Sequence, residues 1–260
     1  MRQSIHNLDE NIDTVIVLPM KQELSELLKH ISIVEKRDCE GLVVYVCEVG
    51  QKHVFIIKSG VGAKAVRKTF NKFFRHFQVS LIIFTGVAGA VDPQLKHKDI
   101  LIPEHVKVHS PGEKGSFLNK LFSSAFSFAS WACVKKGGTL YQTNTIYHLK
   151  DKEALREMDP HARAIDMESW AAFEIAQERQ CTCWVLRVIL DSVHFELPPF
   201  EMIYSKKGLL RYVYFAFQCL RRPLSLWHLL LLPSKFRASM RQLARILHVA
   251  LSSGFESIAP

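Results

Sequence analysis

The chain lacks every cysteine pattern that would mark a metal or redox site. Its six cysteines, at 39, 47, 133, 181, 183 and 219, include no CxxC pair and no framework spacing. They are expected to be reduced thiols, with Cys181 and Cys183 inside an apolar stretch. The twelve histidines are scattered, and His105 and His109, four apart, fall in a strand-like run. No metal and no cofactor is therefore expected. The first thirteen residues are polar without an apolar core, which predicts no signal peptide and a cytoplasmic protein. No apolar run reaches the roughly 20 residues that a bilayer-crossing helix needs. Internal repeats and low-complexity segments are missing too. Acid is scarce in one place only. After Ser205, nine Lys and Arg stand against the single acid Glu256, so this segment holds +8 of the net charge of +9.

What is present is enough for a full core. A 48% hydrophobic share over 260 residues predicts one large α/β domain, or one domain with an appendage. Thr14 to Leu18 reads as a β-branched strand stopped by Pro19, and Met20 to His30 as a helix with Leu24, Leu27, Leu28 and Ile31 on one face. Gly41 to Glu48 and Lys52 to Lys58 read as a hairpin turning at Gly50-Gln51. The second strand enters Ser59-Gly60-Val61-Gly62 and a helix from Ala63 to Phe77. Val79 to Phe84 is wholly apolar, as in a strand covered on both faces, and Thr85 to Ala90 reads as a small-residue turn. Asp99 to Pro103, His105 to His109 and Thr139 to Tyr147 read as strands, Ser116 to Val134 and Lys150 to Met158 as helices. Met167 to Gln180 is a further helix with Asp166 as its N-cap, and Cys183 to Leu190 a core strand running into Asp191.

Strands alternating with helices imply a three-layer α/β/α sandwich around a mostly parallel, mixed sheet. Ligands in such sheets sit at the carboxyl ends of strands. Glu23, Gly60, Gly62, Gly86, Val87, Ala88, Gly89, Ile146, Glu168 and Asp191 all fall at expected strand exits. Each has an ordinary reading as well. Glu23 suits a helix N-terminus, glycine turns are common between strands and helices, and Asp191 could cap a strand or pair with Arg187. Glu168 is harder to dismiss, because a buried carboxylate needs donors from the protein or from a ligand, such as a ribose diol.

Three ordered stretches carry a resemblance. They are Leu18-Pro19-Met20-Lys21-Gln22-Glu23; Ser59-Gly60-Val61-Gly62 with Thr85-Gly86-Val87-Ala88-Gly89; and Ile165-Asp166-Met167-Glu168 with Leu186-Arg187-Val188-Ile189-Leu190-Asp191. Together, over roughly Thr14 to Phe195, they resemble the nucleoside phosphorylase and nucleosidase superfamily, nearest the methylthioadenosine/S-adenosylhomocysteine nucleosidases. Asp191 to Pro199 and the basic apolar tail are similar to the hopanoid-biosynthesis-associated branch. The resemblance implies cleavage of a purine N-glycosidic bond, releasing adenine, from an adenosylated lipid in that branch. It implies that Asp191 protonates the leaving purine and that Glu23 orients and deprotonates water, with Arg187 helping to place it. Met167 and Glu168 would hold the ribose, while Ile146 and Tyr147 would present backbone and a flat side chain to the base. Gly60, Gly62 and Gly86 would form the nucleophile loop. Two alternatives stay open: phosphorolysis in the same pocket, and a catalytically weakened nucleoside-binding or membrane-associated protein. Leu190, where a hydroxyl residue usually orients the acid, and Val87, where serine is frequent, support the latter.

Domain limits are expected at 1–204 for the catalytic domain and 205–260 for a helical appendage. In the latter, Leu209 to Leu220 and Leu224 to Leu232 are apolar, and Ser234 to Leu251 reads as a helix. Its stripe of Phe236, Met240, Leu243, Leu247 and Ala250 beside Arg237, Arg241 and Arg245 suggests lying on an anionic membrane surface, or else packing on the domain. The expected partners are a small-molecule or lipid-linked nucleoside, the inner face of the cell membrane and a second copy in a homodimer, with no nucleic acid.

Overall fold

The computed structural model describes residues 12–49, 52–109, 116–119, 132–145, 147–193, 195 and 223–252. The turn expected at Gly50-Gln51, most of the helix expected over Ser116 to Val134, Ile146 and the apolar run Leu209 to Leu220 lie outside them. In chain order the strands are β1 (Thr14–Leu18), β2 (Ser32–Cys39), β3 (Leu42–Val49), β4 (Lys52–Lys58), β5 (Leu81–Ala90), β6 (Ile100–Ile102), β7 (His105–Val108), β8 (Phe117–Leu118), β9 (Val134–Lys136), β10 (Thr139–Gln142), β11 (Ala162–Asp166) and β12 (Thr182–Asp191). The helices are α1 (Lys21–Leu27), extended by a short 3-10 turn, α2 (Ala63–Phe73), α3 (Leu149–Met158), α4 (Ser169–Glu178) and α5 (Pro223–Ser252). The fold is α/β, with a mixed sheet ordered β2-β3-β4-β1-β5-β11-β10-β7-β8, and with β12 pairing both β5 and β6.

β5 is the hub. Its first half lies between β1 and β12, parallel to both, with Val17 opposite Phe84 and Val185 opposite the same residue. Beyond Phe84, β1 has ended, and β11 takes over that edge antiparallel, with Ile165 opposite Gly89. Thr85 to Ala90, expected as a turn, is thus strand. Its small residues have little strand preference of their own, but neighbours on both sides supply the backbone partners. The helix expected from Ser116 fails at both described ends. Phe117–Leu118 pairs with β7 and Val134–Lys136 with β6.

Each sheet face has its own core. On one, Phe55 of β4 meets Phe73 and Phe77 at ring-centroid distances of 5.7 and 4.6 Å, under α2 and α4. The other joins Ile16, Leu18, Ile56, Trp184 and Leu186 of the sheet with Leu24 and Leu27 of α1. α5 completes that second core. Met240, Leu243, Ala244, Ile246, Leu247 and Leu251 are buried in it, with Phe236 and Ala250 packed alongside. The stripe read as a membrane face is therefore a core face, because the sheet between β12 and β3 would otherwise leave apolar surface in water. The described part of the expected appendage shares the catalytic domain's core. Arg237, Arg241 and Arg245 remain exposed. No helix among the described residues is long and apolar enough to cross a membrane.

Candidate active site

The carboxyl ends of β1, β5, β11 and β12 meet at one place, and each delivers a charged or flexible residue to it. β1 ends at Leu18, and α1 begins two residues beyond Pro19, so Glu23 falls at the third helical position. Its Oε2 accepts from the Met20 backbone N–H at 2.7 Å, as a first-turn acid does. Its Oε1 accepts from the Val87 N–H at 2.8 Å, which ties α1 to β5. Glu23 is 1% exposed, and burial pushes its carboxyl up to about 7 against the pull of those two N–H donors and Arg187.

Gly86 makes this approach possible. A Cβ there would stand 2.6 Å from Glu23 Oε1 and 2.9 Å from Arg187 Nη1, and its φ of +142° is one that side chains rarely adopt. Arg187 faces Gly86 across the β5–β12 ladder. Its Nη2 lies 2.6 Å from Asp166 Oδ2 and donates to Ser169 Oγ at 3.0 Å. Nε and Nη1 are buried with no hydrogen-bond partner. A guanidinium with two idle donors beside a glycine and a carboxylate is suited to orienting a small polar molecule. The ordinary reading of Asp191 paired with Arg187 is not what forms; Asp166 takes that guanidinium. α4 begins at Ser169 and not at the expected Met167, so Glu168 rather than Asp166 is its N-cap; Asp166 accepts from the backbone N–H of Glu168 and Ser169 at 3.3 and 3.2 Å.

Glu168 is 5% exposed and accepts from the Gly62 N–H at 2.8 Å. Burial, reinforced by the Asp166 charge, pushes it up to about 8, while Arg187 and the Gly62 N–H pull down. The glycine loop is thus engaged within the protein: Gly62 on Glu168, and Gly60 donating to the Pro19 carbonyl at 3.0 Å. Val87 is committed through its backbone to Glu23, and Ala88 is core. Met167 is half-buried next to Glu168. Tyr147 packs on a satellite cluster with Tyr141, Leu155 and Ile165, edge-on to His109 at 5.9 Å.

Asp191 ends β12 against Gly89, where a Cβ would stand 3.1 Å from its carboxylate. The partner it finds there was not legible in the sequence. Lys152 of α3 donates to Asp191 Oδ2 at 2.7 Å, both side chains being 4% exposed. Burial raises the Asp191 carboxyl, and Lys152 pulls the other way, as does Lys235 of α5 more weakly. The one signal was position. Leu149, Lys152 and Leu155 lie three apart, so Lys152 sits on the apolar side of an otherwise charged helix. Among the described residues no group of His, Cys, Asp and Glu could hold a metal ion.

Comparison with known proteins finds relatives in sequence and solved structures of the same fold. The 5′-methylthioadenosine/S-adenosylhomocysteine nucleosidase of Buchnera aphidicola is 23% identical over 202 residues, covering 71% of this chain and 80% of that protein. That of Listeria monocytogenes is 24% identical over 207 residues, covering 70% and 88%. The crystal structure of the Helicobacter pylori nucleosidase superposes with a TM-score of 0.67 at 17% identity, covering 94% of this chain and 99% of that one. The Neisseria meningitidis nucleosidase, in complex with methylthio-immucillin-A, gives 0.67 at 17% identity, covering 94% and 100%. The sequence model of the phosphorylase superfamily matches residues 13–201, and the chain belongs to that superfamily.

Proposed function

We propose that this protein is a purine nucleosidase that hydrolyses the N-glycosidic bond of an adenosine-type nucleoside and releases adenine. The observation that carries the reading is that three buried acids lie past the ends of β1, β11 and β12: Glu23 against Gly86, Asp191 against Gly89 and Glu168 on the Gly62 amide. Breaking a glycosidic bond needs a proton on the departing base, stabilisation of positive charge on the sugar and a positioned nucleophile. Asp191 serves the base and Glu168 the ribose hydroxyls. Glu23, held near neutral titration, takes the proton of the attacking water, which the idle donors of Arg187 orient. The relatives carrying the nucleosidase name support water as nucleophile. The Gly60 and Gly62 amides, both engaged within the protein, support the same choice over phosphate.

Incubating the purified protein with adenosine and 5′-methylthioadenosine, with and without phosphate, tests the reading. Free adenine with free sugar is the expected product, independent of phosphate. A sugar 1-phosphate formed only with phosphate would instead identify a phosphorylase. Tight nucleoside binding without base release would identify a binding protein.

A finer reading is that the nucleoside is lipid-linked, an adenosylated hopanoid met at an anionic membrane surface. Its support is the exposed basic line of Arg237, Arg241 and Arg245 on α5. Arg241, Arg245 and His248, with His30, line a groove of about 460 Å³ there.

A further inference from the structure

The Lys152–Asp191 pair poses a chemical problem that the proposed reaction must solve. A carboxylate paired with an ammonium has no proton to give, yet the leaving purine needs one. α3 is a surface helix whose buried residues are Lys152 and Leu155 alone, so its one buried charge is aimed at the strand end that carries Asp191. A buried ammonium costs several kcal/mol unless it is paired, and Asp191 Oδ2 at 2.7 Å is its partner. Leu190, next to Asp191, offers no donor in its place.

We propose that Lys152 is a positioning residue that keeps Asp191 supplied with a proton, so that the pair acts as a single acid. This rests on the nucleosidase reading above. As the C1′–N9 bond breaks, its electron pair stays with the purine. Purine N7 takes a proton from Asp191, Asp191 takes one from the Lys152 ammonium, and the Lys152 amine is reprotonated from solvent. Water adds its hydroxide to C1′ and leaves its other proton on Glu23, which returns it to solvent. The nucleoside and one water give free sugar and neutral base.

The arrangement makes a specific pH signature. Among the described residues, the charged groups acting on Asp191 are Lys152 from α3 and Lys235 from α5. Asp166, Glu168, Glu23 and Arg187 belong to the neighbouring strand ends, and Asp151 and Glu153, beside Lys152 on its own helix, are exposed. With the pair intact, the proton for the purine is drawn from two groups acting together, since Lys152 Nζ lies 2.7 Å from Asp191 Oδ2. Without Lys152, burial acts on Asp191 with less opposition, and the carboxyl has no ammonium from which to be resupplied.

The test compares wild type, Lys152→Met and Lys152→Arg in adenine release from pH 5 to 10, with folding followed by thermal unfolding. Wild type is expected to keep its turnover at alkaline pH. Lys152→Met should show a pH profile that no longer follows that of wild type, because Asp191 then titrates without its cation. Its kcat above pH 8 should fall about 10²–10³-fold, the scale of lost general acid catalysis, with KM little changed. Lys152→Arg keeps a cation that does not release its proton, so it should be slow too. It also keeps the test decisive if the methionine variant fails to fold. Wild-type kcat in Lys152→Arg, or a Lys152→Met profile superposable on wild type, would overturn the inference while leaving the nucleosidase reading intact. No base release by wild type at any pH would overturn both.

Discussion

Glu23 and Asp191 are both carboxylates at strand exits, both within a few per cent of full burial, but their partners divide the work. Glu23 is hydrogen-bonded by two backbone N–H groups, with the Arg187 guanidinium acting on it from nearby, while Asp191 is in direct contact with an ammonium. Asp191→Asn should lower base release about 10²–10⁴-fold while nucleoside affinity, measured by calorimetry, stays close to wild type. Unchanged turnover in the folded variant would remove Asp191 from the chemistry. Gly86→Ala should be nearly as damaging although it deletes nothing, because its Cβ would displace the Glu23 carboxylate and the Arg187 guanidinium together. A fully active Gly86→Ala protein would show that those two groups need not keep their places. The buried carboxyls also set a pH dependence of stability. Glu23 and Glu168 rise from 4.5 to about 7 and about 8 on folding, so the folded chain binds more protons than the unfolded one between those limits. Stability contributed by the neutral carboxyls is therefore present at acid pH and lost as pH rises through that window. The unfolding temperature without ligand should fall from pH 5.5 to pH 8, and less so in Glu23→Gln. An equal slope in both proteins would locate the dependence elsewhere.

At the scale of elements, β5 and α5 do the organising. β5 outlasts β1 by enough to change neighbours, and the six residues after Phe84 carry both close-approach glycines. A side chain at Gly86 or Gly89 would have kept a carboxylate away, so the smallness that hides this half-strand from propensity is what the site uses. α5 covers the sheet face that α1 leaves open, and its buried stripe is part of that core. Leu243→Ala and Leu247→Ala should each cost about 2–5 kcal/mol in denaturant unfolding, the range for truncating a fully buried leucine. A loss well below 1 kcal/mol would mean that α5 is loosely docked.

For the whole molecule, charge is distributed more tellingly than its sum. Most of the +9 lies after Ser205, and the described arginines of that segment point away from the core that its leucines fill. With the stripe buried, the described side chains of α5 offer a membrane their charge, worth about 1 kcal/mol per basic residue near an anionic surface and screened by salt. Binding to phosphatidylserine vesicles at low ionic strength should accordingly vanish at high salt. It should also vanish when Arg237, Arg241 and Arg245 are changed together to Glu, with adenine release from free nucleosides retained. Salt-resistant binding would require apolar insertion, and no binding at low salt would withdraw the lipid-linked reading.

Local pattern determined much of this protein. The apolar runs of β1, β4 and β12, the charged helix α3 and the glycine turn before α2 are written in contiguous residues, because strand and helix periods act over a few positions. Glu23, Glu168 and Asp191 could be singled out for the same reason, each being an acid just past an apolar strand. Tertiary structure decided what those residues meet. Ser32–Cys39 shows no apolar alternation and becomes strand only because β3 offers it an edge. The identity of the cation on Asp191 lay 39 positions away on a helix that looks like surface, and Arg187 went to Asp166 instead. The stripe of α5 fits a membrane or a sheet equally well as a pattern. Apolar surface and buried charge are satisfied by whatever lies across the gap, and only the folded chain brings those partners into reach.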